Sequence, residues 1–328
     1  MSLAFLRPVV LIWATGWAVA ANAEPYSPSV PDPPAAVTKA VPETLDDLRA
    51  FQTQTRAVLN KVLPSTVCLR VGSAFGSGVI VSKAGLVLTA GHVSGEPGRA
   101  VAVTLADGRV VQGKTLGLDR GPDSGMVQIT TPGEWPFVEL GSSKDLAPGQ
   151  WCVATGHPGG YRSGRPPVVR VGRIGSAAAD LIQTDCTLVG GDSGGPLFDM
   201  KGRLVGIHSR IGYSLATNMH VPVDAFRDSW DLLAAGERVG ENPAWLGVRA
   251  DDQAKDCKVG EITPKSPAEV AGLMAGDIIT RFAGKEVKGF QDVLKLLTRT
   301  KPGDEVAVEV RRGEAAKSFK VTLGKRPA

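Results

Sequence analysis

The chain has 328 residues, 43% of them hydrophobic and 21% charged, with a formal net charge of +4 at pH 7. Its 40 glycines and 23 prolines indicate a folded protein of two or more domains that is rich in strands and turns. Because the net charge is small and no basic block is interleaved with aromatic residues, we expect no nucleic-acid partner.

Residues 1–23 have the layout of a cleavable secretory signal peptide. Arg7 precedes an apolar stretch from Val9 to Ala20, and Ala21-Asn22-Ala23 follows it. A retained membrane anchor is the alternative, but the apolar run is shorter than the roughly 20 residues that span a bilayer. We expect cleavage after Ala23, a periplasmic or secreted location, and no stable membrane span afterwards.

The next segment predicts a linker, a helix and then a series of strands. Residues 24–42 are rich in proline, serine and alanine, which is typical of an extended, poorly packed linker. Apolar residues then recur at helical spacing and predict an amphipathic helix from Glu43 to Val62, closed by Pro64. Short runs rich in β-branched residues follow, as in a barrel or a sandwich. They are TVCLRV, GVIVS, LVLTAG, AVAVTL, MVQIT, WCVATG, LIQTD and LVGIHS.

A second composition begins near Glu241, which indicates another domain. The strand pattern WLGVRA is followed by a glycine-rich stretch, a helical FQDVLKLL, and the strands EVAVEVRR and SFKVTL. We place the boundary between about Trp230 and Pro243. The N-terminal helix and the first domain then occupy residues 43–232, and a small second domain occupies residues 241–328.

Four cysteines fit an oxidising compartment, although three full pairings are possible. They are Cys68, Cys152, Cys186 and Cys257. A bridge between Cys152 and Cys186 is one candidate. No metal site is expected, because no CxxC occurs and the four histidines are scattered.

The stretch GGDSGGPLF, residues 190–198, surrounds Ser193 with four glycines and a proline. Glycine allows positive φ and close approach, so the N–H groups of Gly191 and Ser193 can be directed at one point, as in an oxyanion hole. The alternative is a tight turn between two strands.

A nucleophilic serine needs a general base and an acid that orients it. VLTAGHV places His92 at the end of an apolar strand, and LGLDRGPDSGMVQI places Asp123 just before another. Asp119 is the alternative acid, but the Arg-Gly-Pro after it favours a turn in which its carboxylate caps backbone N–H groups.

TAGH, a following aspartate and GDSGGP, in this order between about Ser65 and Trp230, resemble the chymotrypsin-like serine proteases. Within them, GSGVIVSKAGLVLTAGHV and LIQTDCTLVGGDSGGPL are similar to the HtrA/Deg proteases. The resemblance implies a mostly β protein with a double β-barrel protease domain and a small α/β PDZ domain after it.

The chain departs from the HtrA/Deg pattern in two motifs. Asp192 stands where these proteases usually have asparagine, and Asp123-Ser124-Gly125 stands where they usually have Asp-Leu-Ala. In trypsin-like enzymes an aspartate before the nucleophile pairs with a freshly cleaved N-terminus. Because no recognisable activation site precedes the first strand, Asp192 is expected to have some other partner.

The resemblance also implies the roles of the site residues, without any cofactor. Ser193 is the nucleophile, His92 the base, Asp123 the residue that fixes its tautomer, and the N–H groups of Gly191 and Ser193 the oxyanion site. Residues expected to contact substrate are Thr187, Leu188, Val189, Ile207, His208 and Ser209. Because none of the pocket positions is acidic, cleavage after small or medium apolar residues is expected. His157 and His220 are expected to be structural.

The stretch from Trp245 to Leu323 resembles a circularly permuted PDZ domain of the HtrA type. Its carboxylate-binding loop comprises Trp245, Leu246, Gly247 and Val248. The helix from Phe290 to Leu297 is expected to flank the groove, with Val293, Leu294 and Leu297 divided between the core and the groove and about a third of them in contact with ligand. The implied partners are unfolded or C-terminal peptide segments, and the family implies a possible homotrimer.

These observations favour an exported, ATP-independent serine endopeptidase that degrades misfolded or unfolded proteins. One alternative is a peptide-binding or chaperone protein with little proteolysis. Another is a dedicated signalling protease with one substrate. The intact set of His92, Asp123 and Ser193 favours catalysis over binding alone, because binding has no chemical need for all three.

Overall fold

The computed structural model describes residues 29–39, 41–212, 214, 217–240, 244–251, 253–254 and 256–325. The predicted signal peptide, residues 1–23, and the first part of the predicted linker lie outside these ranges. No helix within them is both long enough and apolar enough to cross a membrane.

The N-terminal segment packs against the protein through two helices, α1 (Ala35–Thr38) and α2 (Leu45–Val62). A capping box begins α2, in which the side chain of Thr44 accepts from the N–H of Asp47 and the carboxylate of Asp47 accepts from the N–H of Thr44. Val37 of α1 is buried in the same hydrophobic cluster as α2. This part of the predicted linker is therefore packed, because its apolar side chain has a core to enter.

The first barrel has six strands in the order β5-β4-β1-β2-β3-β6, and pairing between β5 and β6 closes it. A one-turn helix, α3, follows β3. The elements are β1 (Thr66–Val71), β2 (Ala74–Ile80), β3 (Leu86–Ala90), α3 (Gly91–Ser94), β4 (Ala100–Thr104), β5 (Val110–Asp119) and β6 (Ser124–Ile129).

The second barrel is closed in the order β10-β11-β12-β9-β8-β7. Its strands are β7 (Trp151–Gly156), β8 (Val168–Ala177), β9 (Ile182–Thr184), β10 (Pro196–Asp199), β11 (Leu204–Ile211) and β12 (Asn218–Pro222). One hydrophobic cluster joins Leu88 and Met126 of the first barrel to Phe198 and Ile207 of the second. The predicted mostly β, double-barrel fold is confirmed.

Contacts with the first barrel continue past residue 232, within the predicted boundary interval between Trp230 and Pro243. Helix α4 (Val223–Ala234) follows the second barrel, and β13 (Arg238–Val239) pairs in parallel with β5. Leu233 and Val239 are buried in the cluster that joins the barrels. The composition of this short segment gave no sign of these contacts, because only the chain's return to β5 creates them.

The C-terminal domain has its own hydrophobic core, which includes Phe282, Val293 and Val308. A four-stranded sheet, β18-β17-β19-β20, is flanked by two small two-stranded sheets. The elements are β14 (Ala244–Trp245), β15 (Val248–Ala250), β16 (Val259–Ile262), α5 (Pro267–Ala271), β17 (Ile278–Phe282), β18 (Lys285–Glu286), α6 (Phe290–Leu297), β19 (Glu305–Arg312), β20 (Ala315–Thr322) and β21 (Gly324–Lys325). The predicted small α/β domain is confirmed.

The four cysteines are buried free thiols in the structure. The Sγ atoms of Cys152 and Cys186 lie 3.8 Å apart, in hydrogen-bonding contact. The candidate pair is thus adjacent but reduced, since a disulfide requires a separation of about 2.05 Å.

Candidate active site

Three of the four glycines around Ser193, namely Gly191, Gly194 and Gly195, are required by close contacts. A Cβ atom at Gly194, where φ is +84°, would lie 2.1 Å from the hydroxyl oxygen of Thr89 and 2.3 Å from the carbonyl oxygen of Ser77. One at Gly191, where φ is +96°, would lie 2.6 Å from the backbone nitrogen of Gly159. The turn that carries Ser193 therefore contacts the end of β3 at Thr89, three residues before His92.

The backbone around Ser193 directs two N–H groups away from the protein. The carbonyl of Gly190 accepts from the N–H of Gly159, and that of Asp192 accepts from the N–H of Gly195, both at 2.8 Å. In a planar trans peptide the N–H points opposite to the carbonyl. The N–H groups of Gly191 and Ser193 consequently face outward, and neither donates a hydrogen bond within the described ranges.

His92 and Asp123 meet because β3 and β6 are neighbours, with Ala90 opposite Ser124. Nδ1 of His92 lies 2.9 Å from Oδ2 of Asp123, and the backbone N–H of His92 donates to Oδ1 at 2.9 Å. Asp123 has a φ of +67°, a left-handed conformation that aspartate tolerates better than most residues. Its carboxylate therefore binds both the ring and the backbone of His92.

The second barrel also contacts Asp123. The hydroxyl of Ser209, on β11, donates to Oδ2 of Asp123 at 2.6 Å. The sequence suggested Ser209 as a substrate contact, but its side chain is directed at the acid. No sequence signal showed this, because the contact joins residues 86 positions apart.

Hydrogen bonds shift the pKa values of this pair in opposite directions. The hydrogen bond to Asp123 raises the pKa of His92 above 6.5, and burial opposes it. Burial alone would raise the pKa of Asp123, but hydrogen bonds from His92 and Ser209 bring it below its ordinary value. The carboxylate is thus ionised at neutral pH, where it can hold the proton on Nδ1 of His92 and leave Nε2 free to accept one.

Ser193 lies in a turn that contacts the end of the strand before His92, and no hydrogen bond connects the side chains of Ser193 and His92 within the described part of the chain. Catalytic hydrogen bonds are often long in unliganded enzymes and tighten when substrate binds. His92 has about half of its side chain exposed, and Ser193 is half-buried. Both groups are accessible to a peptide lying between the barrels.

Asp119 lies in a different environment. Its carboxylate accepts from the N–H of Gly121 and from the hydroxyl of Ser229 on α4, both at 3.0 Å. Burial raises its pKa. The first contact caps a turn and the second joins the turn to α4. Neither contact involves His92.

Known proteins resemble both parts of the chain. The family model of the trypsin-like peptidase domain matches residues 76–207, and the model of the PDZ domain matches residues 244–323. The putative serine protease HhoB of Synechocystis is 31% identical over 285 residues, which cover 77% of this chain and 67% of HhoB. The chain belongs to the HtrA/Deg family of serine proteases.

Other HtrA/Deg proteins agree with this assignment. A probable periplasmic serine endoprotease, DegP-like, of Pseudomonas fulva is 31% identical and covers 79% of this chain. The chain spans only 57% of that relative's length. The HtrA-type protease AlgW, solved with a tripeptide, has a TM-score of 0.63 and 26% identity over 83% of this chain and 97% of AlgW. The relatives' names support the predicted periplasmic location.

One departure from the HtrA/Deg pattern follows from side-chain volume. A Cβ atom at Gly125 would lie 2.3 Å from Oγ of Ser94, at the end of α3. Alanine at this position would therefore collide with Ser94. The short helix that carries His92 therefore requires a residue without a side chain at position 125.

The other departure, Asp192, has a partner that the sequence did not reveal. Arg170 on β8 donates from its two terminal nitrogens to the two carboxylate oxygens of Asp192, at 3.0 and 2.8 Å. The Asp192 side chain is fully buried, whereas that of Arg170 is 18% exposed. This HtrA/Deg chain thus pairs the residue before the nucleophile with an internal arginine.

The six residues expected to contact substrate separate into two groups. Thr187 and Val189 are exposed, whereas Leu188 is buried and its N–H donates to Oδ1 of Asn218 at 2.9 Å. Ile207 and His208 are fully buried and Ser209 nearly so. The side chain of His208 thus lies inside the barrel, and the substrate contact predicted for this strand, which is through its backbone, stays a prediction. A β-bulge between His208 and Arg210 breaks the alternation of the strand and keeps successive side chains inside.

His208 belongs to an internal chain of hydrogen bonds. Its Nε2 lies 3.2 Å from the carbonyl of Thr155, which only accepts, so Nδ1 of His208 accepts from Nδ1 of His220 at 2.9 Å. Nε2 of His220 then accepts from the hydroxyl of Thr184 at 2.7 Å. Burial lowers the pKa of His220 to about 3 and that of His208 well below 6.5. Both rings are neutral at physiological pH.

The loop expected to bind a carboxylate is built around Gly247. Its φ is +84°, and a Cβ atom there would lie 2.1 Å from Cβ of Ser266. The carbonyl of Leu246 accepts from the N–H of Ala268, and that of Gly247 accepts from the N–H of Thr263, both at 2.9 Å. Trp245 and Val248 flank these residues and are half-buried.

On the helix expected to flank the groove, only one of the three named side chains is available. Val293 and Leu297 are buried in the core of the C-terminal domain, whereas Leu294 is half exposed. In the described ranges, no group of three or more His, Cys, Asp and Glu side chains is arranged to hold a metal ion.

Proposed function

We propose that this chain is an exported, ATP-independent serine endopeptidase of the periplasm that hydrolyses peptide bonds of misfolded or unfolded proteins. The observation that carries the proposal is the hydrogen-bonded pair of His92 and Asp123 beside the glycine-walled turn of Ser193. A protein that only binds peptides has no need of an ionised carboxylate that orients an exposed imidazole. This contact favours proteolysis over a purely chaperone role.

The proposed reaction uses these side chains in order. Ser193 Oγ attacks the peptide carbonyl while Nε2 of His92 takes the hydroxyl proton, and the N–H groups of Gly191 and Ser193 bind the oxyanion. The C–N bond breaks as His92 returns the proton to the leaving amine. Water then attacks the acyl-enzyme, again with His92 as base, and releases the new carboxylate and Ser193.

The substrate preference and the peptide capture are proposed on separate features. Thr187 and Val189 are exposed beside the nucleophile turn and carry no charge, which fits small or medium apolar residues before the cleaved bond. The Trp245–Val248 loop and Leu294 of α6 would hold an extended peptide or a C-terminus as an added strand. We also propose a homotrimer, which sedimentation equilibrium can test.

Casein digestion tests the function. The wild-type chain should digest casein and react with a serine-directed phosphonate, whereas Ser193→Ala should do neither while keeping its circular dichroism spectrum. Ser73→Ala is the matched control, because Ser73 is exposed in the turn between β1 and β2. Digestion by Ser193→Ala, or a folded wild-type chain that neither digests casein nor reacts with the phosphonate, would contradict the proposal.

A further inference from the structure

The ion pair between Arg170 and Asp192 lies directly behind the two proposed oxyanion donors. Asp192 is the residue between Gly191 and Ser193, and its carboxylate points into the second barrel. Besides Arg170, it accepts a hydrogen bond from the N–H of Val189 at 3.0 Å. Because Asp192 lies between the two donors, a change in its backbone conformation would reorient the peptide group that carries the N–H of Ser193 and the one that joins Asp192 to Gly191.

Two anchors, one from each barrel, hold the three residues from Gly191 to Ser193. On the first barrel, Ser77 donates from its hydroxyl to the carbonyl of Gly191 and from its N–H to the carbonyl of Ser193, both at 2.8 Å. On the second barrel, Arg170 holds the side chain of Asp192. The carbonyls are thus fixed inward by Ser77, and the residue between them is fixed inward by Arg170.

The carboxylate depends on this guanidinium to remain buried. A Cβ atom at Gly156 would lie 2.5 Å from Oδ1 of Asp192, so the wall on that side leaves no room for another group. A buried carboxylate without a counter-ion is strongly destabilised relative to one in water. If Arg170 were removed, the buried carboxylate would be strongly unfavourable, and any backbone rotation at Asp192 that relieves it would reorient the N–H of Ser193 and shift the adjoining Gly191.

Resting on the proposed protease function, we propose that Arg170 is a positioning residue for the oxyanion site. Its two-pronged contact with Asp192 holds Gly191 and Ser193 in their working arrangement in the uncut chain. The cation that keeps the site assembled is therefore built into β8, and no cleavage of the chain is needed to supply it.

The test compares Arg170→Met, Asp192→Asn and the double variant with the wild type on a short peptide substrate. Arg170→Met leaves the carboxylate buried without a charge partner, and we expect kcat to fall about 100-fold, the effect of losing an oxyanion donor, with KM within about threefold. The rate of labelling by a phosphonate should fall in parallel. Asp192→Asn leaves only the partly exposed guanidinium unpaired, so its kcat should stay within about tenfold. The double variant should resemble Asp192→Asn, because a neutral amide needs no cation.

Arg312→Met is the matched control. Arg312 makes the same two-pronged contact with Asp277, also fully buried, at 2.6 and 2.8 Å, but in the C-terminal domain. The Arg312→Met substitution should lower the unfolding temperature of the C-terminal domain and leave kcat on a short peptide unchanged. A merely structural Arg170 would behave in the same way, with reduced stability and normal kcat per folded molecule.

Several outcomes would overturn the inference. A folded Arg170→Met chain with wild-type kcat, or a double variant no faster than Arg170→Met, contradicts the positioning role while leaving the protease function intact. If Arg170→Met does not fold, the double variant decides, and a folded double variant with less than about one hundredth of wild-type kcat contradicts the proposal. A wild-type chain inert to casein and phosphonate would instead refute the protease function on which the inference rests.

Discussion

Oδ2 of Asp123 accepts hydrogen bonds from two barrels, from Ser209 Oγ at 2.6 Å and from the ring of His92 at 2.9 Å. The acid is thus held by β11 of the second barrel as firmly as by the base that it orients. The hydroxyl limits the rotation of the carboxylate and supports its ionised form.

Ser209→Ala should reduce kcat by roughly tenfold, because the carboxylate loses one of the donors that fix its plane and support its charge. KM should change little, since the Ser209 side chain faces Asp123 rather than the cleft. Peptide hydrolysis by Ser209→Ala and by the control Ser73→Ala measures the effect. Unchanged kcat in Ser209→Ala would show that His92 alone orients the acid.

Exchanging each candidate aspartate for asparagine should separate their roles. Asp123→Asn keeps the left-handed backbone, which asparagine also tolerates, but should lower kcat by about 10⁴, because the amide stabilises the wrong imidazole tautomer. Asp119→Asn should cost a few-fold at most, through weaker contacts to Gly121 and Ser229. Rates measured side by side on one peptide decide, and reversed phenotypes would contradict the assignment.

The acid limb of the pH profile should lie above pH 6.5. His92 acts as a base only when neutral, and its hydrogen bond to Asp123 raises its pKa, so activity disappears at a higher pH than for a free imidazole. The pH dependence of kcat/KM reports this ionisation in the free enzyme. In Asp123→Asn the limb should move to lower pH, because the carboxylate that favours the imidazolium is gone. A wild-type limb below pH 6 would be incompatible with the observed contact.

Local pattern predicted strands that match β1–β4, β6, β7, β9 and β11, but β5 and β8 were not among them. It also singled out His92, Asp123 and Ser193, because each lies beside a strong strand or glycine signal. It could not predict Arg170, whose contact with Asp192 depends on how β8 aligns with the nucleophile turn. The burial of the His208 side chain depends in the same way on a feature that local pattern does not show. One extra residue in a bulge reverses the alternation of a strand, and no single residue type announces a bulge.

The position at which the C-terminal domain is removed should decide whether the protease domain survives. A chain ending at Gly240 keeps Leu233 and Val239 in the core, whereas one ending at Trp230 loses both and several kcal/mol of stability with them. The chain ending at Gly240 should hydrolyse short peptides as fast as the full-length chain. It should digest unfolded casein more slowly, because captured substrate is no longer concentrated near the cleft. Thermal unfolding and both assays test this, and equal losses on the two substrates would remove the C-terminal domain from substrate capture.

Oxidation should join Cys152 to Cys186, whose thiols already touch. The bridge would close a loop between positions 152 and 186 and stabilise the second barrel by about 3 to 4 kcal/mol in the chain-entropy model. Peptide mapping without reductant identifies the bond, and unfolding with and without dithiothreitol measures the gain. Cys152→Ser is the control and should show no gain. Alkylation of both Cys152 and Cys186 in protein purified from the periplasm would rule the bridge out, whereas Cys68 and Cys257 stay alkylatable in either case.

The nucleophile belongs to one barrel, whereas the base and the acid belong to the other. Catalytic activity in this chain therefore depends on how the two barrels are aligned, and not only on whether each barrel is folded. A sliding movement of about an ångström, too small to melt a strand, would separate Ser193 from His92 and silence the enzyme. On warming, activity should fade before the circular dichroism signal does. A ligand that binds outside the cleft and changes the separation of the barrels would therefore raise or lower the activity.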